Sequence, residues 1–153
     1  MFRKKRKTKC VRTKVKEAAW QWFTKFIKLR DAVEDKIDPF LKYTRCRTCG
    51  KITERGTKNC QAGHFIGRGS GGHSGVYWAE ENVHVQCSQC NAFEQGKPKE
   101  YEEYMLRKYG KETVDLLRIK HKINSYSTES IVALGIYYKV QYEELKNLYD
   151  IKE

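Results

Sequence analysis

Three polar side chains, His64, Asn82 and Asn91, are threaded between two Cys-x-x-Cys pairs, Cys46/Cys49 and Cys87/Cys90. These residue types suit one kind of chemistry. A neutral imidazole is a general base near pH 7. An asparagine side-chain oxygen can serve a hard divalent cation, which offsets charge that builds on a phosphate oxygen. A second asparagine can pin the loop that aims the imidazole. Together they match hydrolysis of a phosphodiester, which needs an activated water and a neutralised transition state.

The cysteines read differently. Thirty-seven residues separate the two pairs, and four thiolates can close tetrahedrally around one zinc ion. Such a site has no open position for water, so it is expected to staple the fold and do no chemistry. The N-terminus has basic residues with no apolar segment behind them and does not read as a secretion signal, which argues against disulfides. Cys10 and Cys60 are left over, as a tail thiol and a strand-packing thiol.

Elements must hold these groups. Lys51–Thr53 and Cys60–Ile66 read as short strands, and Asn82–Gln86 alternates like a strand. Pairing 60–66 with 82–86 puts His64 near the start of the connecting loop, where Gly67 to Gly75 contains five glycines in nine residues. A short helix is expected near Ser88, with Asn91 on its first turn. Zinc would fix the hairpin against that helix, so that His64 and Asn91 face each other across a small cleft. Upstream, helical periodicity runs from Val15 to Lys36 and ends at Asp38-Pro39. Downstream, Pro98 opens a helix that stops near Gly110, Lys111–His121 continues as helix, and Ser127 caps a last long one. The last helix bears a stripe of Ile131, Leu134, Tyr138, Tyr142, Leu145 and Leu148, read as core packing before a dimer seam. The expected class is α+β: residues 1–16 a disordered basic tail, and 17–153 one domain. Within it, 17–42 is the N-terminal helix, 43–97 the zinc core and 98–153 a helical part.

Charge points to a polyanion. The chain of 153 residues has a net charge of +12, and residues 1–16 hold nine basic and no acidic side chains. Arg3, Lys4, Lys5, Arg6 and Lys7 are candidate DNA contacts through counterion release. Arg68, close to His64, is either a bidentate phosphate clamp or a solvated loop arginine. Tyr77 and Trp78 either stack on a base or pack the hairpin. The glycine loop lacks P-loop spacing, which excludes that mode of nucleotide binding. No run of 18 apolar residues exists, so no membrane span is expected.

The order His64, Asn82, Asn91 nested in the cysteine pairs resembles the HNH endonucleases of the ββα-metal, treble-clef group. It is most similar to the NinG (Rap) recombination nucleases of lambdoid phages. The likeness rests on Cys46–Gly50, Ala62-Gly63-His64-Phe65, Glu81–Cys87 with Cys90-Asn91, and Tyr109-Gly110, Glu112, Val114 and Asp115, over roughly residues 43–118. It implies His64 as the base, Asn82 as the residue that orients its loop, Asn91 as a ligand for catalytic magnesium or manganese, and structural zinc on the four cysteines. It further implies branched DNA as substrate, duplex DNA as a related target, and the host cytoplasm as the compartment. A homodimer would suit a symmetric junction. Many HNH enzymes place a metal ligand just before the base, where this chain has Gly63. Gln61, His73, His84 and Gln95 are the candidate substitutes; His84 reads equally as a satisfied structural histidine, and His73 as a DNA contact or neither. The competing expectation is a zinc-containing nucleic-acid-binding module that cuts nothing.

Overall fold

The computed structural model describes residues 10–67 and 74–152. Its order is α1 (Val11–Asp35), β1 (Tyr43–Arg45), β2 (Ile52–Glu54), β3 (Cys60–His64), β4 (Val83–Cys87), α2 (Pro98–Ile123) and α3 (Thr128–Leu148). A 3-10 turn at Glu80–Asn82 leads into β4, and a π-turn at Gln89–Phe93 follows it. The class is α+β, with two small antiparallel hairpins, β1–β2 and β3–β4, among three long helices.

Helix α1 is the spine. It buries Ala19, Phe23, Phe26, Ile27, Leu29 and Ala32 at helical spacing. Tyr138, Tyr142 and Ile131 of α3 close the same core, together with Tyr77, Trp78 and Val83. The helix begins at Val11, four residues before the periodicity indicated. Contacts distant in sequence hold this extra turn, because Arg12 donates to the Tyr126 carbonyl at 2.7 Å and to Thr128 Oγ1 at 2.9 Å. It ends at Asp35, with Lys36 in the left-handed region donating back to the Ala32 carbonyl. Asp38 then folds the connection by accepting the amides of Phe40, Lys42 and Tyr43.

Hairpin β3–β4 pairs Cys60 with Cys87, Gln61 with Gln86, Gly63 with His84 and His64 with Val83. Every residue of β4 is buried. The expected alternation between core and solvent is therefore absent, since both faces and the outer edge of β4 are covered. At that edge Arg30 donates to the Val83 carbonyl, Asp31 accepts the Val85 amide, and the Val85 carbonyl accepts from Arg47 N. An edge strand that would otherwise expose its ladder is thus closed by side chains of α1 and by the first cysteine loop.

Helix α2 is broken at Gly110, whose backbone is non-helical, and Ser127 caps α3 by accepting the Ser130 amide. Both agree with the sequence expectations. On its inner face α2 packs Tyr101, Met105, Val114 and Leu117 against Val76, Phe65 and Ile66, the two ends of the glycine loop. One alternative is decided and one expectation needs correction. Tyr77 and Trp78 take the packing alternative as core residues, each 4% exposed. The segment after Cys87 is a single π-turn and not a regular helix, because Gln95, Gly96 and Lys97 all take positive φ and end it.

Candidate functional site

The four sulfurs of Cys46, Cys49, Cys87 and Cys90 lie within 4.8 Å of one another. Cys49 and Cys87 are 3.8 Å apart, close to the edge of about 3.8 Å expected of a tetrahedron with zinc–sulfur bonds near 2.3 Å. The first pair sits on a tight loop closed by Gly50 N donating to the Cys46 carbonyl and Cys46 N to the Lys51 carbonyl. Gly50 has φ +75°, a conformation that favours glycine. The second pair straddles the end of β4 and the π-turn. Burial raises the Cys46 thiol, but the Thr48 hydroxyl and nearby amides outweigh it and hold Cys46 at about 6. Burial pushes Cys90 up to about 12. Four thiolates cannot share this space unaided, and a divalent cation that takes the place of their protons resolves the conflict. The cluster can therefore hold a zinc ion. Of the other two thiols, Cys60 is buried on β3 as expected, and Cys10 is exposed at the N-cap of α1.

His64 is the last residue of β3. Its ring stacks on Trp20 of α1, with centroids 5.1 Å apart and planes 10° from parallel. Nε2 lies 3.0 Å from the Tyr77 carbonyl. A carbonyl has no proton to give, so in the neutral ring Nε2 carries the hydrogen and Nδ1 the lone pair. Asn82 is fully buried and clamps the loop that follows. Its Oδ1 accepts the Ile66 amide at 2.8 Å, and its Nδ2 donates to the Ile66 and Val76 carbonyls at 3.1 and 3.0 Å. Both ends of the glycine loop are tied to one side chain, beside the strand end that carries His64.

Asn91 projects from the π-turn to the opposite face of β3. Its Nδ2 donates to Gln61 Oε1 at 2.8 Å, and Gln61 Nε2 donates in turn to the Lys58 carbonyl at 3.0 Å. Asn91 Oδ1 is thereby turned towards Gly63. There two side-chain oxygens approach the backbone closely. A Cβ on Gly63 would stand 2.9 Å from Asn91 Oδ1 and 2.0 Å from Gln86 Oε1. Gln86 is fully buried; its Nε2 donates to the Gly96 carbonyl at 2.8 Å, while its Oε1 has no hydrogen-bond partner among the described residues. Tyr101 of α2 donates to the Gly63 carbonyl at 2.9 Å and fixes this rung. The imidazole and the Asn91 amide therefore do not face each other across a cleft. The strand's pleat places them on opposite faces of the β3 end, at adjacent positions 63 and 64.

The remaining candidates separate. His84 is fully buried, not a loose ligand. Arg30 donates to its Nδ1 at 2.9 Å, and Tyr109 Oη lies 3.1 Å from Nε2. Burial holds its pKa below the ordinary imidazole range, so the ring is neutral. Both ring nitrogens are thus engaged in a network with Asp31, whose carboxylate takes two hydrogen bonds from Arg30 and lies 3.5 Å from Arg47 Nε. Gln95 lies exposed on a turn with φ +53°, not one helical turn beyond Asn91. His73, Arg68, Arg3, Lys4, Lys5, Arg6 and Lys7 lie outside the described residues. A cavity of about 910 Å³ lined by Lys25, Lys28, Lys42 and Arg55 lies between α1, the first hairpin and the C-terminal residues. It contains none of the candidate site residues.

Sequence reasoning missed Gln86. Its one signal was its place directly opposite Gln61 in the hairpin, which puts both on the face of Gly63.

The family model for the bacteriophage lambda NinG protein matches residues 1–148. The chain belongs to the NinG family. The NinG proteins of Escherichia phages 933W and lambda and of Salmonella phage P22 are each 26% identical over 102 residues. Each match covers 67% of this chain and 48% of the relative, so this NinG-family chain spans about half the length of those curated relatives. No solved structure matches it. No helix among the described residues is long and apolar enough to cross a membrane.

Proposed function

We propose that this NinG-family chain is a metal-dependent DNA endonuclease of the HNH type, with a zinc-stapled treble-clef core, acting on branched recombination intermediates. One observation carries the reading: His64 is held by the Tyr77 carbonyl at a strand end, beside a loop clamped by Asn82 and one residue from converging amide oxygens over Gly63. The zinc staple explains why two short strands hold a fixed register.

His64 takes a proton from water at Nδ1, and the Tyr77 carbonyl keeps the ring from rotating as it becomes imidazolium. Trp20 covers one ring face. Asn82 ties Ile66 to Val76, so the backbone next to the imidazole does not wander. The surroundings of Gly63 fit a hard divalent cation, because a buried oxygen there lacks a partner and Asn91 Oδ1 converges on the same point. Bound there, magnesium or manganese would neutralise charge on a phosphate oxygen. The basic N-terminal segment supplies phosphate affinity without sequence preference.

The test is a cleavage panel of duplex, flap, three-way and four-way DNA with magnesium or manganese. His64→Asn should lower cleavage by about 10²–10⁴-fold while leaving zinc content and DNA binding near wild type. Normal cutting by this variant would remove the base assignment. DNA bound but never cut by the wild-type protein would favour a non-catalytic zinc module, which the satisfied, stacked state of His64 also suits.

A further inference from the structure

Position 63 is where a metal ligand would be expected by analogy with related nucleases, yet a glycine stands there. The structure shows what the glycine permits. Gln86 Oε1 occupies the space a side chain at 63 would need, only 2.0 Å from the ideal Cβ. Any residue other than glycine must push that oxygen away.

The direction of the oxygen is not accidental. Gln86 Nε2 is committed to the Gly96 carbonyl, with a longer contact to Thr48 Oγ1 at 3.3 Å. Flipping the amide would set Oε1 against the Gly96 carbonyl oxygen, which cannot donate. Asn91 is fixed by the same logic, through Gln61 and the Lys58 carbonyl. Two side-chain nitrogens are spent on hydrogen bonds, and two oxygens are left beside the space that a Gly63 side chain would fill. A fully buried amide oxygen without a partner is destabilising unless something positive meets it.

We infer that Gln86 is the missing ligand: Gln86 Oε1 and Asn91 Oδ1 together form the divalent-cation site, and Gly63 is there to admit Gln86. The inference deepens the nuclease reading and rests on it for the ion's role. Both donors are uncharged amides. The cation would keep its full charge, and an anionic oxygen such as a phosphodiester is the natural further ligand. Binding of ion and of DNA would therefore reinforce each other.

The experiment uses the zinc-loaded full chain, labelled with ¹⁵N, and manganese as the paramagnetic probe. Small amounts of Mn²⁺ should first broaden the backbone amide of Gly63 and the side-chain amides of Gln86 and Asn91, and excess Mg²⁺ should restore them. Gln86→Leu should need about tenfold more Mn²⁺ for the same broadening, the usual scale for a lost ligand contact. Gln86→Glu should need less, because it puts a negative oxygen at the same place. A purely structural role for Gln86 predicts no gain from glutamate. The assignment fails if broadening starts elsewhere, if these signals never respond, or if glutamate and leucine shift the titration alike. Should Gln86→Leu bind manganese and cut as the wild type while His64→Asn does not cut, the assignment falls and the nuclease reading stands. Should Gly63 broaden while the wild-type protein cuts no DNA, the ion site stands and the nuclease reading falls.

Discussion

Replacing Asp31 by Asn tests the network that ties α1 to the site. Asp31 is fully buried, and its carboxylate is shared among Arg30 at 2.7 Å, Arg47 at 3.5 Å and the Val85 amide at 2.8 Å. The substitution keeps the shape and one acceptor, but leaves two guanidinium groups near each other without their central counter-charge. Breaking a buried ion pair on one side costs about 3–5 kcal/mol. The retained acceptor, the Glu80 and Val83 carbonyls on Arg30, and Asp35 on Arg47 place the expectation at the low end, about 3 kcal/mol. For a domain of this size that lowers the melting temperature by about 10 °C. The pH dependence adds a second reading. Burial raises the Asp31 pKa, but Arg30 and its other partners more than offset this and hold it far below the usual carboxylate range. A depressed pKa gives stability that is complete above the unfolded value near 3.9 and is lost as pH falls towards the folded one. The gap between wild type and Asp31→Asn should be constant from pH 7 to about 5, then narrow by up to about 1.4 kcal/mol per pH unit below about 3.9. Circular dichroism melts of both proteins at pH 7 and pH 5, where the thiolate cluster can still hold its metal, give the size of the gap and its constancy. A loss under about 1 kcal/mol at pH 7, or a gap that changes between pH 7 and pH 5, refutes the reasoning.

Other expectations follow from single contacts. Stripping the cysteine cluster with a strong chelator should unfold the β3–β4 region, seen as loss of amide dispersion in NMR spectra together with about one zinc released per chain; a metal-free protein with an unchanged spectrum would count against the staple. Asn82→Ala leaves the Ile66 amide and two carbonyls without their partner and should cost about 2–4 kcal/mol in denaturant unfolding. Cleavage by that variant should fall well before its fold is lost, and full activity would sever the loop from the base. Deleting residues 1–9 removes six basic side chains and should reduce the slope of DNA affinity against salt by up to about 5, measured by fluorescence anisotropy. An unchanged slope would deny the segment its phosphate contacts. A deletion through residue 16 is a poorer test, since it also removes Arg12 and its bonds to the start of α3.

What could be read from sequence was what local chemistry dictates. The Cys-x-x-Cys spacing, the Ser127 cap and the Gly110 break each follow from rules that operate within a few residues, and all three are present. The strand pairing that sets His64 at a loop mouth was also legible, because polar and turn-forming residues bracket both strands. What failed depended on distant partners. The first turn of α1 exists because Arg12 reaches residues 126 and 128. Sequence left Trp78 open between stacking and packing; Phe23 packs on it, and the Tyr138 hydroxyl donates to its carbonyl. His84 sat in an alternating pattern like an ordinary strand residue, and only the packing of Tyr104 and Tyr109 from α2 reveals that it is sealed in. Gln86 was invisible because a glutamine on a strand is usually solvated; its meaning comes from the glycine diagonal to it in the hairpin.

The spine of this protein is made well before the residues that cover it. Helix α1 ends at residue 35, yet the aromatic wall that covers its apolar side, Ile131, Tyr138 and Tyr142, comes about a hundred residues later. On the ribosome, that side stays only partly covered, Trp78 reaching Phe23 first, until residues 131–142 have emerged. Closure then joins segments far apart in sequence, which is slow and leaves sticky surface exposed in the interval. The nascent chain is thus most vulnerable to self-association before α3 arrives, and the cysteine cluster, complete by residue 90, is the first long-range fastening available to it.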